Sequence, residues 1–365
     1  MKIALVCPYD YVYPGGVASH VSHLKDHFTR MGHKVKIITS LSKRGLRHNG
    51  DLIAIGKPLS VPSSGSIARV SLSPWLPYQV KSVLEREKFD IVHIHEPLFP
   101  MLPLSVLLQS HSRTVGTFHA YHSKPRAYWL GKPVLKKCIQ CLDGRIAVSQ
   151  MARQFVSRHF PGDYEIIPNG IDINQFSPNV PPLGEFCDGK LNILFVGRME
   201  KRKGLKYLIS AYSKIKRQYP KSRLIVVGPG TRLRKDYEKQ IEESNLADVV
   251  FAGYASAEEL PRYYRTADIF CAPATSHESF GIVLLEAMAS GTPVVASNMG
   301  GYAELIEHSN EGLLVPPKDV GALTYALSSL ITDTSLRQQM GAKGRLKAEA
   351  YSWERVAQRV LNYYE

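Results

Sequence analysis

Cysteine is scarce: the 365 residues hold five, Cys7, Cys138, Cys141, Cys187 and Cys271, scattered and odd in number, which excludes a disulfide framework and suits reduced thiols. Cys138-x-x-Cys141 has no second pair at ligand spacing, so two half-buried helix cysteines are expected there rather than a zinc site. No stretch approaches the roughly 20 uninterrupted apolar residues of a membrane-spanning helix. The apolar opening Ile3–Val6 runs straight into Cys7-Pro8-Tyr9-Asp10 without a cleavage-site pattern, so a cytoplasmic protein is expected. The dinucleotide pattern G-x-G-x-x-G is missing, as is a suitable acid about 20 residues further on, which argues against a dehydrogenase.

A chain of this length, 44% hydrophobic, fits two α/β domains. Its net charge of +14 is uneven: residues 1–165 carry 22 Lys and Arg against 10 Asp and Glu, the remainder 24 against 22. A basic face on the first half suggests an anionic partner, with nucleic acid and an anionic membrane surface as the two candidates and a merely soluble surface as the plain alternative.

Short β-rich runs alternate with amphipathic stretches through the first half: Ile3–Val6, Val35–Thr39, Leu52–Ile55, Ile91–Ile94, Thr114–Phe118 and Arg145–Val148. The pattern restarts at Ile193–Val196, Leu224–Val227, Val249–Phe251, Ile269–Ala272, Pro293–Ala296 and Leu313–Val315. That order predicts two Rossmann-like units of parallel strands with crossover helices. Ile167-Pro168-Asn169-Gly170-Ile171-Asp172 breaks the periodicity, which divides the chain into domains 1–168 and 169–350. The stripe Trp353, Val356, Ala357, Val360, Leu361, Tyr364 predicts a final amphipathic helix, 351–365, whose apolar face must be covered, with packing back on the first domain as one hypothesis for the cover.

Three constellations carry chemistry. Pro14-Gly15-Gly16-Val17 follows the first strand and opens a helix, so backbone N–H groups can approach a phosphate, although a plain tight turn would look the same. Gly197-Arg198 and Lys203-Gly204 follow the first strand of the second unit and deliver two cations to the strand ends where such sheets bind ligands. There they can neutralise a departing diphosphate, unless they are only a solvated helix start together with Lys201 and Arg202. Glu278-Ser279-Phe280-Gly281-Ile282, followed by Glu286, sets two carboxylates around a strand-to-helix turn whose N–H groups suit phosphate or sugar oxygens. His93 and His95 alternate along a strand; a third metal ligand is not evident and strand-packed imidazoles are favoured over a metal pair. His119, with His122 and Lys124 behind it, ends a strand where a cleft residue is expected, with a core histidine as the alternative.

Together these motifs resemble the retaining glycosyltransferases of family 4 with the GT-B fold: α/β, two Rossmann-like doubly wound domains facing each other across a cleft. Val6-Cys7-Pro8-Tyr9, Gly65-Ser66-Ile67-Ala68-Arg69, His93-Ile94-His95-Glu96-Pro97, Thr117-Phe118-His119 and Gly144-Arg145-Ile146-Ala147-Val148-Ser149 are similar, within that family, to the phosphatidylinositol mannosyltransferases. The resemblance implies that Gly16, Arg198, Arg202 and Lys203 hold the donor diphosphate, Glu278, Ser279, Phe280, Gly281 and Ile282 the sugar and phosphate, and Glu286 the ribose. It further implies that Gly253–Ala255, with Tyr254, border the base, that His119 acts at the reacting sugar beside Arg198, Lys203 and Glu278, and that Tyr9, Ser63, Ser64, Arg69 and Lys124 belong to the acceptor side. The implied partners are a nucleotide-sugar, GDP-mannose by resemblance, and a lipid acceptor such as phosphatidylinositol at a membrane surface. No permanent cofactor, no metal and no nucleic acid are implied.

The acceptor side departs from the pattern. A run of Arg and Lys on the family's membrane-binding helix is replaced by Ser73-Pro74-Trp75-Leu76-Pro77-Tyr78-Gln79-Val80-Lys81, and Ser63, Ser64 and Ala18 differ at the inositol side. A UDP-sugar donor with another lipid, soluble or cell-wall precursor acceptor is the alternative. A non-enzymatic nucleic-acid binder lacks its signs, because no binding motif is present and aromatics do not interleave with cations.

Overall fold

The computed structural model describes residues 1–13, 15–42, 50–63, 66–99, 101–119, 126–276 and 278–365, with backbone alone at 62, 63, 66–68 and 126–130. The chain divides into two compact units, Met1–Gly170 with Trp353–Glu365, and Ile171–Ser352. The first division falls two residues from the Pro168/Asn169 boundary expected from sequence.

The first unit holds strands β1 (Lys2–Asp10), β2 (Lys34–Ser40), β3 (Leu52–Ala54), β4 (Pro58–Ser63), β5 (Ser66–Ser71), β6 (Ile91–His95), β7 (Arg113–Phe118), β8 (Gly144–Ala147) and β9 (Glu165–Ile166). Seven of them form a sheet in the order β3-β2-β1-β6-β7-β8-β9, and its pairings are parallel. The order reverses between β1 and β6, the switch point where open α/β sheets bind ligands beyond their strand ends. Strands β4 and β5 pair antiparallel as a separate hairpin, which alternation in the sequence did not announce because prolines and serines dilute it. Helices α1 (Gly16–Arg30), α2 (Leu76–Glu87), α3 (Leu102–Gln109), α4 (Arg126–Cys138) and α5 (Gln150–His159) lie between strands. Ser149 caps α5 by accepting a hydrogen bond from the Ala152 N–H at 3.0 Å.

The second unit holds β10 (Leu191–Val196), β11 (Ser222–Val227), β12 (Val249–Gly253), β13 (Ile269–Ala272), β14 (Val294–Ser297) and β15 (Gly312–Val315), in the parallel order β12-β11-β10-β13-β14-β15. Its switch point lies between β10 and β13. Helices α6 (Leu205–Gln218), α7 (Leu233–Glu243), α8 (Leu260–Thr266), α9 (Ile282–Ala289), α10 (Gly300–Ala303), α11 (Val320–Thr332) and α12 (Thr334–Glu349) complete it. Helix α9 is apolar nearly all round, and five of its eight residues are buried.

The final helix, α13 (Trp353–Tyr364), returns to the first unit. Trp353, Val356, Ala357, Val360, Leu361 and Tyr364 join the core built from Ile3, Leu5, Val21, Leu24 and Phe28. Each larger side chain buried there stabilises by about 1.5–3 kcal/mol. Gly170 packs so closely on Trp353 that an added Cβ would stand 2.4 Å from its ring. Cys7, Cys138 and Cys271 are buried and Cys141 and Cys187 exposed, all as free thiols. Among the described residues no helix is long and apolar enough to cross a membrane.

Candidate active site

In the second unit, β10 ends at Val196 and the chain turns through Gly197, at φ +154°, into Arg198. A short turn, Lys201–Lys203, then delivers Gly204 in the left-handed region at φ +75°. An added Cβ at Gly204 would stand 1.8 Å from the Pro273 carbonyl oxygen, so only glycine permits this approach to the segment after β13. The Thr275 N–H donates to the Arg202 carbonyl at 2.7 Å and ties the two segments together.

These two segments hold an alternating chain of charges. Arg198 pairs with Glu200 at 3.2 Å, Glu200 with Arg202 at 2.9 Å, and Glu278 with both Arg202 at 2.6 Å and Lys203 at 2.7 Å. Sequence reading assigned the cations to a departing diphosphate, with a solvated helix start as the alternative. Tertiary structure adds their partners: Glu278 pairs with Arg202 and Lys203, and Glu200, which no motif singled out, pairs with Arg198 and Arg202. Three guanidinium and ammonium groups against two carboxylates leave a net positive site suited to an anion.

The turn after Glu278 is shaped by glycines. Gly281 lies at φ +100° at the start of α9, and Gly301 at the start of α10 allows the Glu278 carbonyl to approach, since a Cβ there would stand 2.3 Å from that oxygen. Gly301 is a site residue missed in the sequence, where Gly300-Gly301 looks like an ordinary turn. Ser279 and Ile282 keep some exposure, while Phe280 is buried against Tyr351, ring centroids 6.2 Å apart, and so shapes the turn from beneath. Glu286 accepts a hydrogen bond from Tyr264 Oη at 2.6 Å. Burial pushes its carboxyl up to about 7, against the lowering effects of that bond and of the Lys203 charge. Tyr254 stands apart, exposed after edge strand β12.

The first unit gathers a second set at the ends of β1, β6 and β7. His95 Nδ1 lies 2.9 Å from His119 Nε2, and the His119 N–H donates to Glu96 Oε1 at 2.7 Å. Glu96 holds this position with φ at +53°, an uncommon backbone state for a residue with a side chain. His93 is a core imidazole, paired at 2.6 Å with both Tyr364 Oη and Thr117 Oγ1. His20, from α1, completes the cluster and was missed in the sequence; its Nδ1 donates to Asn169 Oδ1 at 2.9 Å. His20 and His119, supplied by elements far apart in the chain, thus stand beside His95, while His93 is packed in the core. Burial lowers all four: His20 to about 4, against the raising effect of its Asn169 bond and helped by His23, His93 to about 3, and His95 and His119 well below the ordinary range, the last three also through repulsion from neighbouring rings of the cluster.

Tyr9, at the end of β1, packs edge-on to Phe99 at 5.5 Å, and burial raises its hydroxyl above the usual range. Arg69 in β5 lies 3.6 Å above the Tyr13 ring. Gly16 opens α1, and among the described residues nothing lies within 4 Å of an added Cβ at Gly15 or Gly16. Ser63 is the last residue of β4; Ser64 and Lys124 lie outside the described residues. The expected donor set is thus divided, with Gly16 in the first unit and the remainder in the second.

Two α/β units, each with candidate groups at its switch point, match two family profiles in tandem: Glycosyltransferase Family 4 over residues 14–175 and Glycosyl transferases group 1 over residues 184–347. The chain is 33% identical over its full length to a phosphatidyl-myo-inositol mannosyltransferase of Mycolicibacterium smegmatis, covering 94% of that protein. The chain belongs to the family 4 glycosyltransferases. The same full coverage holds for a phosphatidyl-myo-inositol mannosyltransferase of Propionibacterium freudenreichii, 32% identical with 94% covered, and an uncharacterized glycosyltransferase of Methanocaldococcus jannaschii, 29% identical with 98% covered. Among solved structures, sucrose-phosphate synthase from Thermosynechococcus elongatus aligns with a TM-score of 0.81 at 24% identity, over 100% of this chain and 98% of that one. HepE of Anabaena in complex with UDP and glucose aligns with a TM-score of 0.78 at 20% identity, over 99% and 98%. The fold of this glycosyltransferase is GT-B, its two Rossmann-like units being those of that class.

Proposed function

We propose that this glycosyltransferase is a retaining hexosyltransferase that moves mannose from GDP-mannose to a phospholipid acceptor such as phosphatidylinositol. Full-length identity of 33–34% to proteins named phosphatidyl-myo-inositol mannosyltransferase supports the reading. The observation that carries it is the paired-charge cluster Arg198–Glu200–Arg202–Glu278–Lys203 at the switch point of the second unit. A nucleoside diphosphate takes over the cations, Glu278 is released toward the sugar hydroxyls, Glu286 serves the ribose, and Tyr254 borders the base. As the glycosidic bond breaks, the cations and the N–H groups after Glu278 stabilise the departing diphosphate, with no resident metal assigned to that step. The first unit carries Gly16 and His119 together with the acceptor groups Tyr9, Ser63, Ser64, Arg69 and Lys124.

The lipid acceptor draws on a second observation. Trp75 and Tyr78, at the start of α2, are 72% and 77% exposed, an aromatic pair suited to a lipid interface at the inner face of the cytoplasmic membrane. The strong positive excess of residues 1–165 favours anionic lipid there.

A thermal-shift screen against GDP, UDP, ADP and GDP-mannose tests the donor, because a ligand that binds only the folded state raises Tm. A rise with GDP and GDP-mannose alone is expected, followed by transfer of labelled mannose to phosphatidylinositol vesicles. A UDP-selective rise discards mannose, and no rise with any nucleotide overturns the reading.

A further inference from the structure

The three rings of His20, His95 and His119 form a nearly equilateral triangle, with centroids 5.2, 4.8 and 5.2 Å apart. One ring nitrogen of each lies within 4.8 Å of the others. Nitrogens about 2 Å from a zinc ion in a tetrahedral array stand about 3.3 Å from one another, a spacing to which the 2.9 Å between His95 Nδ1 and His119 Nε2 is already close. Two further observations point to a ligand. His95 Nε2 is buried and has no hydrogen-bond partner among the described residues. His20 donates its Nδ1–H to Asn169 Oδ1, the carbonyl contact that characteristically fixes the tautomer of a metal-ligating histidine and turns the Nε2 lone pair away from it.

We propose that His20, His95 and His119 form a three-imidazole site for a transition-metal ion of the zinc type, with a fourth position open. Three nitrogen donors suit zinc, cobalt, nickel or copper and discriminate against magnesium and calcium, which require oxygen ligands. The metal is an inhibitor rather than a cofactor: bound there, it engages His119 and withholds it from the sugar. The inhibition rests on the transferase reading; the binding does not.

The test uses the full chain, stripped with a chelator and titrated with Zn²⁺ against a chromophoric competitor, and with Co²⁺ followed by visible absorption, both without substrate. One ion per chain and the intense visible bands of four-coordinate Co²⁺ are expected. His20→Gln or His95→Gln should weaken binding more than tenfold, Asn169→Ala, which removes no ligand, about 10–100-fold, and His111→Gln not at all. X-ray absorption at the zinc edge of the wild-type chain needs no variant: three histidine nitrogens are expected, and an all-oxygen shell overturns the site, as does affinity that is equal in all four variants. Reversible loss of transfer with Zn²⁺ then tests the inhibition separately. Metal bound with transfer unaffected rejects the inhibition alone.

Discussion

Lys203 and Glu278 meet in an ion pair of 2.7 Å that joins the turn after β10 to the turn before α9. A carboxylate thus occupies the cation assigned to the diphosphate, and donor binding exchanges one anion for another. Lys203→Ala is expected to cost on the order of a hundredfold in transfer rate, through loss of charge at the leaving group. Steady-state kinetics check it, and near-full turnover would reject the role.

Glu278→Gln should separate binding from chemistry. Without the carboxylate, Lys203 loses its partner and Arg202 keeps only Glu200, so affinity for a free nucleoside diphosphate is expected to hold or rise by up to about tenfold, while transfer falls more than tenfold. Calorimetry with the diphosphate, set beside transfer rates, checks the split. A parallel fall of both would show that Glu278 serves only to shape the turn.

Glu286 predicts a pH dependence of stability. Its carboxyl is raised from 4.5 to about 7 in the folded chain, so below about 4.5 both states hold the proton and nothing is lost. As pH rises toward 7 the unfolded chain ionises first, and stability falls by about 3 kcal/mol before levelling off above 7. Glu286→Gln, which can still accept from Tyr264, is expected to raise Tm at pH 8 and leave it unchanged near pH 4.5. Equal melting curves at pH 8 would contradict the enclosed, hard-to-ionise carboxyl.

Gly204→Ala should destabilise by at least about 2 kcal/mol, because a side chain at φ +75° is strained and its Cβ would meet the Pro273 carbonyl at 1.8 Å. Chemical denaturation measures it. A neutral result would mean that the turn holding Lys203 can relax.

Trp75→Ala combined with Tyr78→Ala is expected to cut co-sedimentation with anionic vesicles several-fold while leaving Tm within about 2 °C, since both side chains are exposed. Unchanged sedimentation would remove the lipid interface from this face.

Local patterning made much of the fold legible. The strands from Ile3–Val6 to Leu313–Val315 were readable because β-branched runs alternate with helical periods, and that alternation admits only parallel crossovers. Stretches diluted by Pro and Ser, as in Pro58–Ser71, or as short as Glu165–Ile166, carry too little periodicity to be seen.

By itself, the sequence determined two Rossmann-like units, a division near Gly170, glycine-shaped turns at strand ends and the residue types gathered there. Each of these follows from spacing along a few consecutive residues. Only tertiary structure decided the partners: Glu200 and Glu278 on the cations, Tyr264 on Glu286, Gly301 under Glu278, and His20 with Asn169 completing a cluster whose other members lie on β6 and at the end of β7. Apart from the local pairs of Glu200, these contacts join segments from tens of residues to some 150 apart in the chain, and whether a charge stands free or paired depends on which strand ends the sheet order brings side by side.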